Sequence, residues 1–192
     1  MYNCLLRLSS LSRTMKKTAA IKTFIDWDAK GRYVYTLGDF AKLFPDEGHR
    51  ALQESVNRLV KGGILERACR GVYVYALSNN KGNNLIEQIA KALRRGEYNY
   101  VSLESALSEY GAISQIPIDR LTVMTTGRKG VYKTPYGAIE FTHTNRKMKD
   151  ILQSMKEVGR PLRLASPVAA WRDLKRTGRN THLVQEEILL SA

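Results

Sequence analysis

The sequence predicts an α+β chain. A small helical N-terminal domain closed by a two-stranded hairpin precedes a mixed α/β C-terminal domain with a small sheet. Three observations predict this. Between residues 33 and 75 the apolar spacing passes from strand to helix, to a second helix, and then to alternation. Residues 78–84, Ser-Asn-Asn-Lys-Gly-Asn-Asn, form a polar break. Beyond it, helical spacing as far as Tyr110 gives way to strand alternation between Leu121 and Thr144, and a helical close follows. The boundaries that result are a flexible leader over 1–16, an N-terminal domain over 17–78 and a C-terminal domain over 84–192.

The first helix is expected over 17–29, with Ala20, Ile21, Phe24, Ile25 and Trp27 as its apolar stripe. Residues 33–35 read as a short strand. Thr36 is a helix N-cap type, and Leu37, Phe40, Ala41 and Phe44 share one face of the helix it opens. Pro45-Asp46-Glu47-Gly48 breaks that helix. The next, over 49–61, turns Leu52, Val56, Leu59 and Val60 inward and stops at Gly62-Gly63. Residues 64–75 alternate as a hairpin with Arg70-Gly71 at its tip. Strand, helix, turn, helix and hairpin in this order are the layout of a winged helix-turn-helix, a unit that offers one helix to the major groove of DNA.

In the C-terminal domain, a helix over 85–95 turns Leu85, Ile86, Ile89, Ala90 and Leu93 inward and stops at Gly96. A second helix, over 102–110, has Ser102 as its N-cap and Gly111 as its stop. Strands follow at 121–126, 131–134 and 138–143, the last reached through Pro135-Tyr136-Gly137. Helices are expected at 167–176 and 183–190. Thr125-Thr126-Gly127-Arg128-Lys129-Gly130 is glycine-rich, but it lacks phosphate-loop spacing and no helix follows, so it reads as a hairpin turn.

Composition narrows the function. The chain has 192 residues and 43% hydrophobic content, enough for real cores. Its net charge of +13 favours a polyanionic partner. Cys4 and Cys69 have no neighbour at metal-ligand spacing, and two thiols suit a reducing cytoplasm. No apolar run reaches bilayer length, so no membrane partner is expected. Residues 1–14 carry Arg7, Arg13 and several serines without an acid; they read as a flexible leader, or as an upstream start with Met15 the functional one. His49, His143 and His182 are isolated, and Glu104 and Glu109 lie five residues apart, so neither catalysis nor a cofactor is expected. His143 reads as a hydrogen-bonded structural residue.

The chemistry is expected on the helix over 49–61. Arg50, Gln53, Asn57 and Lys61 recur every three or four residues on its outward side, with His49 at its N-terminal end. Arg can grip guanine O6 and N7; Gln and Asn can grip adenine N6 and N7. Lys61, with Arg58 to the side, suits backbone phosphate. The hairpin adds Arg67 and Arg70, placed for the minor groove or a phosphate, and Lys42 on the preceding helix suits the backbone. Tyr73 and Tyr75 read as packing residues. Two further basic stretches, 120–149 and 160–179, hold one acid each, Glu140 and Asp173. They read as solvated surface or as an extended footprint.

The chain resembles the AbiEi-type antitoxins of bacterial abortive-infection (type IV toxin–antitoxin) systems. The likeness lies in Leu52 to Tyr75, LQESVNRLVKGGILERACRGVYVY, with Arg70-Gly71-Val72-Tyr73 as the wing. It continues in Ser102-Leu103-Glu104-Ser105-Ala106-Leu107 before Tyr110-Gly111, in Pro135-Tyr136-Gly137 with Ile139, Phe141 and His143, and in Ala165-Ser166-Pro167 through Asp173. Ala169 stands where the family pattern has Arg. The resemblance implies a DNA-binding antitoxin that represses its own operon through promoter inverted repeats. It also implies a C-terminal domain that neutralises a nucleotidyltransferase-like toxin without a stable complex. On this reading the partners are duplex DNA and, functionally, the toxin; the chain is a monomer or weak dimer. Two other readings are a winged-helix regulator whose C-terminal domain binds a ligand or dimerises, and a nucleic-acid-modifying enzyme.

Overall fold

The computed structural model describes residues 15–113 and 119–190. The expected leader, apart from its last two residues, and Cys4 lie outside the described residues. The fold is α+β. The chain divides into two compact units: residues up to Arg67 together with Tyr73–Asn80, and Ala68–Val72 together with everything from Lys81 onward.

The first unit runs α1 (Lys17–Asp28), β1 (Val34–Thr36), α2 (Leu37–Leu43), α3 (His49–Lys61) and most of β2 (Leu65–Cys69) and β3 (Val72–Tyr75), whose shared tip Ala68–Val72 is counted with the second unit. The strands form one sheet in the order β1-β3-β2. Because β3 is central, all four of its residues are buried, in place of the alternation expected of a hairpin. Phe24 lies at the middle of the core, with ring centroids 5.3 Å from Tyr35 and 5.5 Å from Tyr75; Tyr73 packs 5.6 Å from Phe40. Both hairpin tyrosines are therefore core residues. Burial pushes the Tyr35 and Tyr75 hydroxyls above their ordinary pKa.

The start of α2 follows from one side-chain exchange. Thr36 Oγ1 accepts from the Asp39 N–H at 3.2 Å, while Asp39 accepts from the Thr36 N–H at 2.7 Å. This capping box satisfies two donors that the first turn leaves open. Arg32 adds a 2.6 Å bond to the same carboxylate. Of the face expected to be apolar, Phe40 is buried, but Ala41 is exposed. The stripe of α1 is also narrower than expected. It buries Ala20, Phe24 and Asp28, and leaves Ile25 54% exposed. Asp28 occupies an inward place because it holds the start of the polar break: Ser78 Oγ and Asn80 Nδ2 donate to it, as does the Asn79 N–H.

The second unit runs α4 (Leu85–Leu93), β4 (Asn99–Val101), α5 (Leu103–Glu109), β5 (Arg120–Thr125), β6 (Gly130–Thr134) and β7 (Gly137–His143). It continues with α6 (Met148–Gln153), β8 (Met155–Lys156), β9 (Arg163–Ala165), α7 (Pro167–Thr177), a 3-10 turn (Thr181–Leu183) and α8 (Glu186–Leu190). The sheet is larger than expected, six strands in the order β6-β7-β5-β4-β9-β8. β5 and β7 pair in parallel, as do β4 and β9. The strands absent from the sequence reading, β4, β8 and β9, have three, two and three residues, too few to show a period.

The order corrects one expectation. β5 and β6 are not neighbours, because β7 lies between them. The segment over 126–129 is therefore no hairpin turn. It is a crossover that passes the carboxyl end of β7.

The helix boundaries in this unit have local causes. Ser166 accepts from the Ala169 N–H at 3.3 Å, Pro167 opens α7, and Gly178 closes it at φ +67°. Ser102, expected to cap α5, makes no cap bond; its hydroxyl reaches Asp173 at 3.0 Å instead.

Candidate nucleic-acid interface

α3 has the amphipathic form that lets one helix carry both packing and contact. Leu52, Val56 and Leu59 are buried, with Ser55 among them. His49, Arg50, Gln53, Asn57, Arg58 and Lys61 are all exposed, as are Lys42 on α2, Arg67 on β2 and Arg70 in the turn after it. Every residue that the sequence singled out for contact therefore faces solvent. Arg58 and Lys61 lie in the last turn of the helix, where cations complement its dipole.

The exposed residues are held to different degrees. Arg50 is 95% exposed, with one 3.4 Å contact to Glu54 a turn away. A pair so open to water contributes little and leaves the guanidinium available. Arg58 is braced. Its Nη2 donates to Ser55 Oγ at 2.8 Å, and Ser55 Oγ donates to Glu47 at 2.9 Å. The Met15 N–H also donates to Glu47. Ser55 and Glu47 are supporting residues that sequence reasoning missed. The available signal was a polar residue on the inward side of an amphipathic helix, which needs a partner when buried.

The second unit treats its basic residues differently. Asp173, fully buried, accepts from Arg146 Nη2 at 3.0 Å, Ser102 Oγ at 3.0 Å and Tyr100 Oη at 3.2 Å. Burial, and then the neighbouring Asp173 charge, raise the Tyr100 pKa, so the phenol stays a donor. Arg179 lies between Glu104, 2.9 Å from its Nε, and Glu140, which its Nη1 contacts. Arg120 reaches Glu140 at 2.8 Å. Arg160 reaches Glu87 at 3.1 Å and Glu109 at 2.6 Å. Burial raises the Glu87 pKa; the Leu162 N–H and Arg160 offset that only in part. Much of the arginine content of the two basic stretches thus ties elements of this unit together. Among the described residues, no group of three His, Cys, Asp or Glu side chains is arranged to hold a metal ion. No helix among them is long and apolar enough to cross a membrane.

No family model and no curated protein matches the chain. Among solved structures, it has a partial likeness to the crystal structure of the RV2827C protein from Mycobacterium tuberculosis. The identity is 13% and the TM-score 0.48, over 93% of this chain and 72% of that one. A likeness that distant supports no functional reading.

Proposed function

We propose that the first unit is a winged helix-turn-helix that binds duplex DNA with α3 in the major groove. The chain would act in the cytoplasm as an AbiEi-type autorepressor and antitoxin with no catalysis of its own. The observation that carries the DNA reading is the outward face of α3. Arg50, Gln53 and Asn57 stand exposed at helical spacing on a helix whose other face is packed. Those side chains match the donor and acceptor pattern of base edges, and the flanking Lys61, Arg67 and Lys42 suit phosphates. The antitoxin role rests on the sequence resemblance in residues 102–111 and 165–173.

Footprinting of the full chain on the DNA upstream of its own gene tests the first part. The reading expects protection of an inverted repeat with half-sites about one helical turn apart, or a multiple of it. Uniform weak protection of any DNA overturns it. For the antitoxin part, the full chain is expected to rescue cells from a toxin encoded beside it, whereas residues 1–81 alone are not. Rescue by residues 1–81 reassigns neutralisation to the first unit. A second reading, a regulator whose C-terminal unit takes a ligand, is favoured by an open pocket in that unit lined by Arg128, Lys129 and Arg176.

A further inference from the structure

The crossover over 126–129 is a glycine-rich motif that the proposed DNA binding leaves unexplained. Its backbone is fixed from three sides. His143 Nδ1, at the carboxyl end of β7, donates to the Gly127 carbonyl at 2.8 Å. Arg94 Nε, from the end of α4, donates to the Arg128 carbonyl at 2.9 Å. Thr126 Oγ1 donates to Glu97 at 2.7 Å and accepts from the Tyr98 N–H at 3.0 Å. Arg94 is itself held, stacked 4.4 Å from the Phe141 ring and bonded to Tyr132 Oη at 3.0 Å. A Cβ on residue 127 would lie 2.9 Å from Glu97 Cγ and 3.1 Å from Arg94 Cδ, so only glycine lets the loop pack this closely.

A loop held by its carbonyls leaves its side chains free to point elsewhere. Arg128 and Lys129 are exposed at the rim of an open pocket of about 860 Å³. Arg176 of α7 also lines it, and its Nη2 donates to the His143 carbonyl at 2.9 Å. The pocket therefore holds three permanent cations against a single acid, Glu97, which already accepts from Thr126. It lies beyond the carboxyl ends of the parallel pair β5 and β7, the position where open sheets with parallel strands generally take ligands. Its volume is that of a small-molecule site.

We infer that this pocket binds a small polyphosphate-bearing ligand, with Arg128, Lys129 and Arg176 gripping the phosphate chain. Three cations in one concavity match an anion whose charges are concentrated within a few ångströms. An extended acidic peptide, whose same-face side chains recur about every 7 Å, suits a stripe. Arg takes phosphate oxygens in pairs, and Lys adds a mobile point charge. Because the loop backbone is already held, binding has only the side chains left to order. The inference specifies a ligand class for the second unit and does not depend on what α3 binds.

Calorimetric titration of the full chain with ATP, GTP and inorganic pyrophosphate tests it. Saturable one-site binding of at least one of the three is expected. The double variant Arg128→Ala, Lys129→Ala should weaken it by about tenfold or more. Both residues are exposed, and neither side chain holds the loop, so the melting temperature should be unchanged. Lys147→Ala with Lys149→Ala removes two exposed charges outside the pocket and should leave the affinity within about twofold. Absence of saturable heat with all three probes overturns the inference. So does an equal loss in both double variants, which means diffuse charge. Competition by random duplex DNA, with the Arg128 and Lys129 variant losing DNA and the bound probe alike, assigns the cations to backbone phosphate and overturns it too.

Discussion

The two units use the same residue type in opposite ways. On α3, Arg50 extends into water with one loose contact to Glu54. In the second unit, Arg146, Arg160 and Arg179 each reach an acid at or near full burial: Asp173, Glu87 and Glu104. What differs is the partner and not the arginine. A surface arginine costs nothing to leave unpaired, whereas a buried carboxylate must be paired. A count of basic residues therefore does not tell which cations a protein offers to a ligand. The basic stretches over 120–149 and 160–179 looked alike in sequence. Once the ion pairs are drawn, what faces solvent without an acid in the second unit includes Arg128 and Lys129.

The largest expected effect separates the units by stability. Arg146→Ala strands the Asp173 carboxylate in the core with two hydroxyl donors, Ser102 and Tyr100, and the more distant Arg172. Removing one partner of a buried pair costs about 3–5 kcal/mol, and the remaining donors place this case near the lower end. Denaturant unfolding should show that loss. Arg50→Ala, in contrast, should change stability by less than about 0.5 kcal/mol. Similar costs for the two variants would erase the distinction between the units.

The next effect is on DNA. If α3 reads bases as proposed, Arg50→Ala or Gln53→Ala should cost about 1–3 kcal/mol on the footprinted site and little on random duplex, because a lost base contact removes discrimination. Measuring both affinities by gel shift checks this. Equal losses on both sequences would make the residue a phosphate contact.

These cases show what sequence could reveal. α3 was legible to the residue, because thirteen amphipathic positions lie between a Gly48 entry and a Gly62-Gly63 exit. The exposure of its polar side was legible for the same reason. The sheet of the second unit was legible only where strands reach five residues or more: β5, β6 and β7. The ion pairs were hidden, because their partners lie 27 residues apart for Arg146 and Asp173, and 75 for Arg179 and Glu104. Local pattern carries no information at that range. The same holds for Asp28. A helix stripe predicts an apolar residue at an inward place, and only the position of Ser78–Asn80, some fifty residues on, explains the acid.

A smaller effect sharpens the role of α3's last turn. Lys61→Ala should weaken specific and random DNA alike and reduce the slope of log affinity against log salt by about one. An unchanged slope would remove Lys61 from the proposed phosphate contacts and leave that role to Arg67 or Lys42.

The smallest effect is a pH dependence confined to acid. Burial opposes the charge on Asp28, but the hydrogen bonds from Ser78, Asn80 and the Asn79 amide outweigh it, so its pKa lies below the ordinary 3.8. The unfolded chain then binds a proton at a higher pH than the folded one. Stability from this carboxylate is fully present above the unfolded value and is lost as pH falls through the lower folded value. Asp28→Asn removes the charge and presents an amide to the Asn80 donor, so the variant should be less stable than the parent at neutral pH. Unfolding free energies measured from about pH 6 to pH 2 should show the gap constant above about pH 5 and narrowing below it. A gap that persists unchanged at pH 2 would mean that packing around Ser78, and not the ionised carboxylate, holds the start of the polar break.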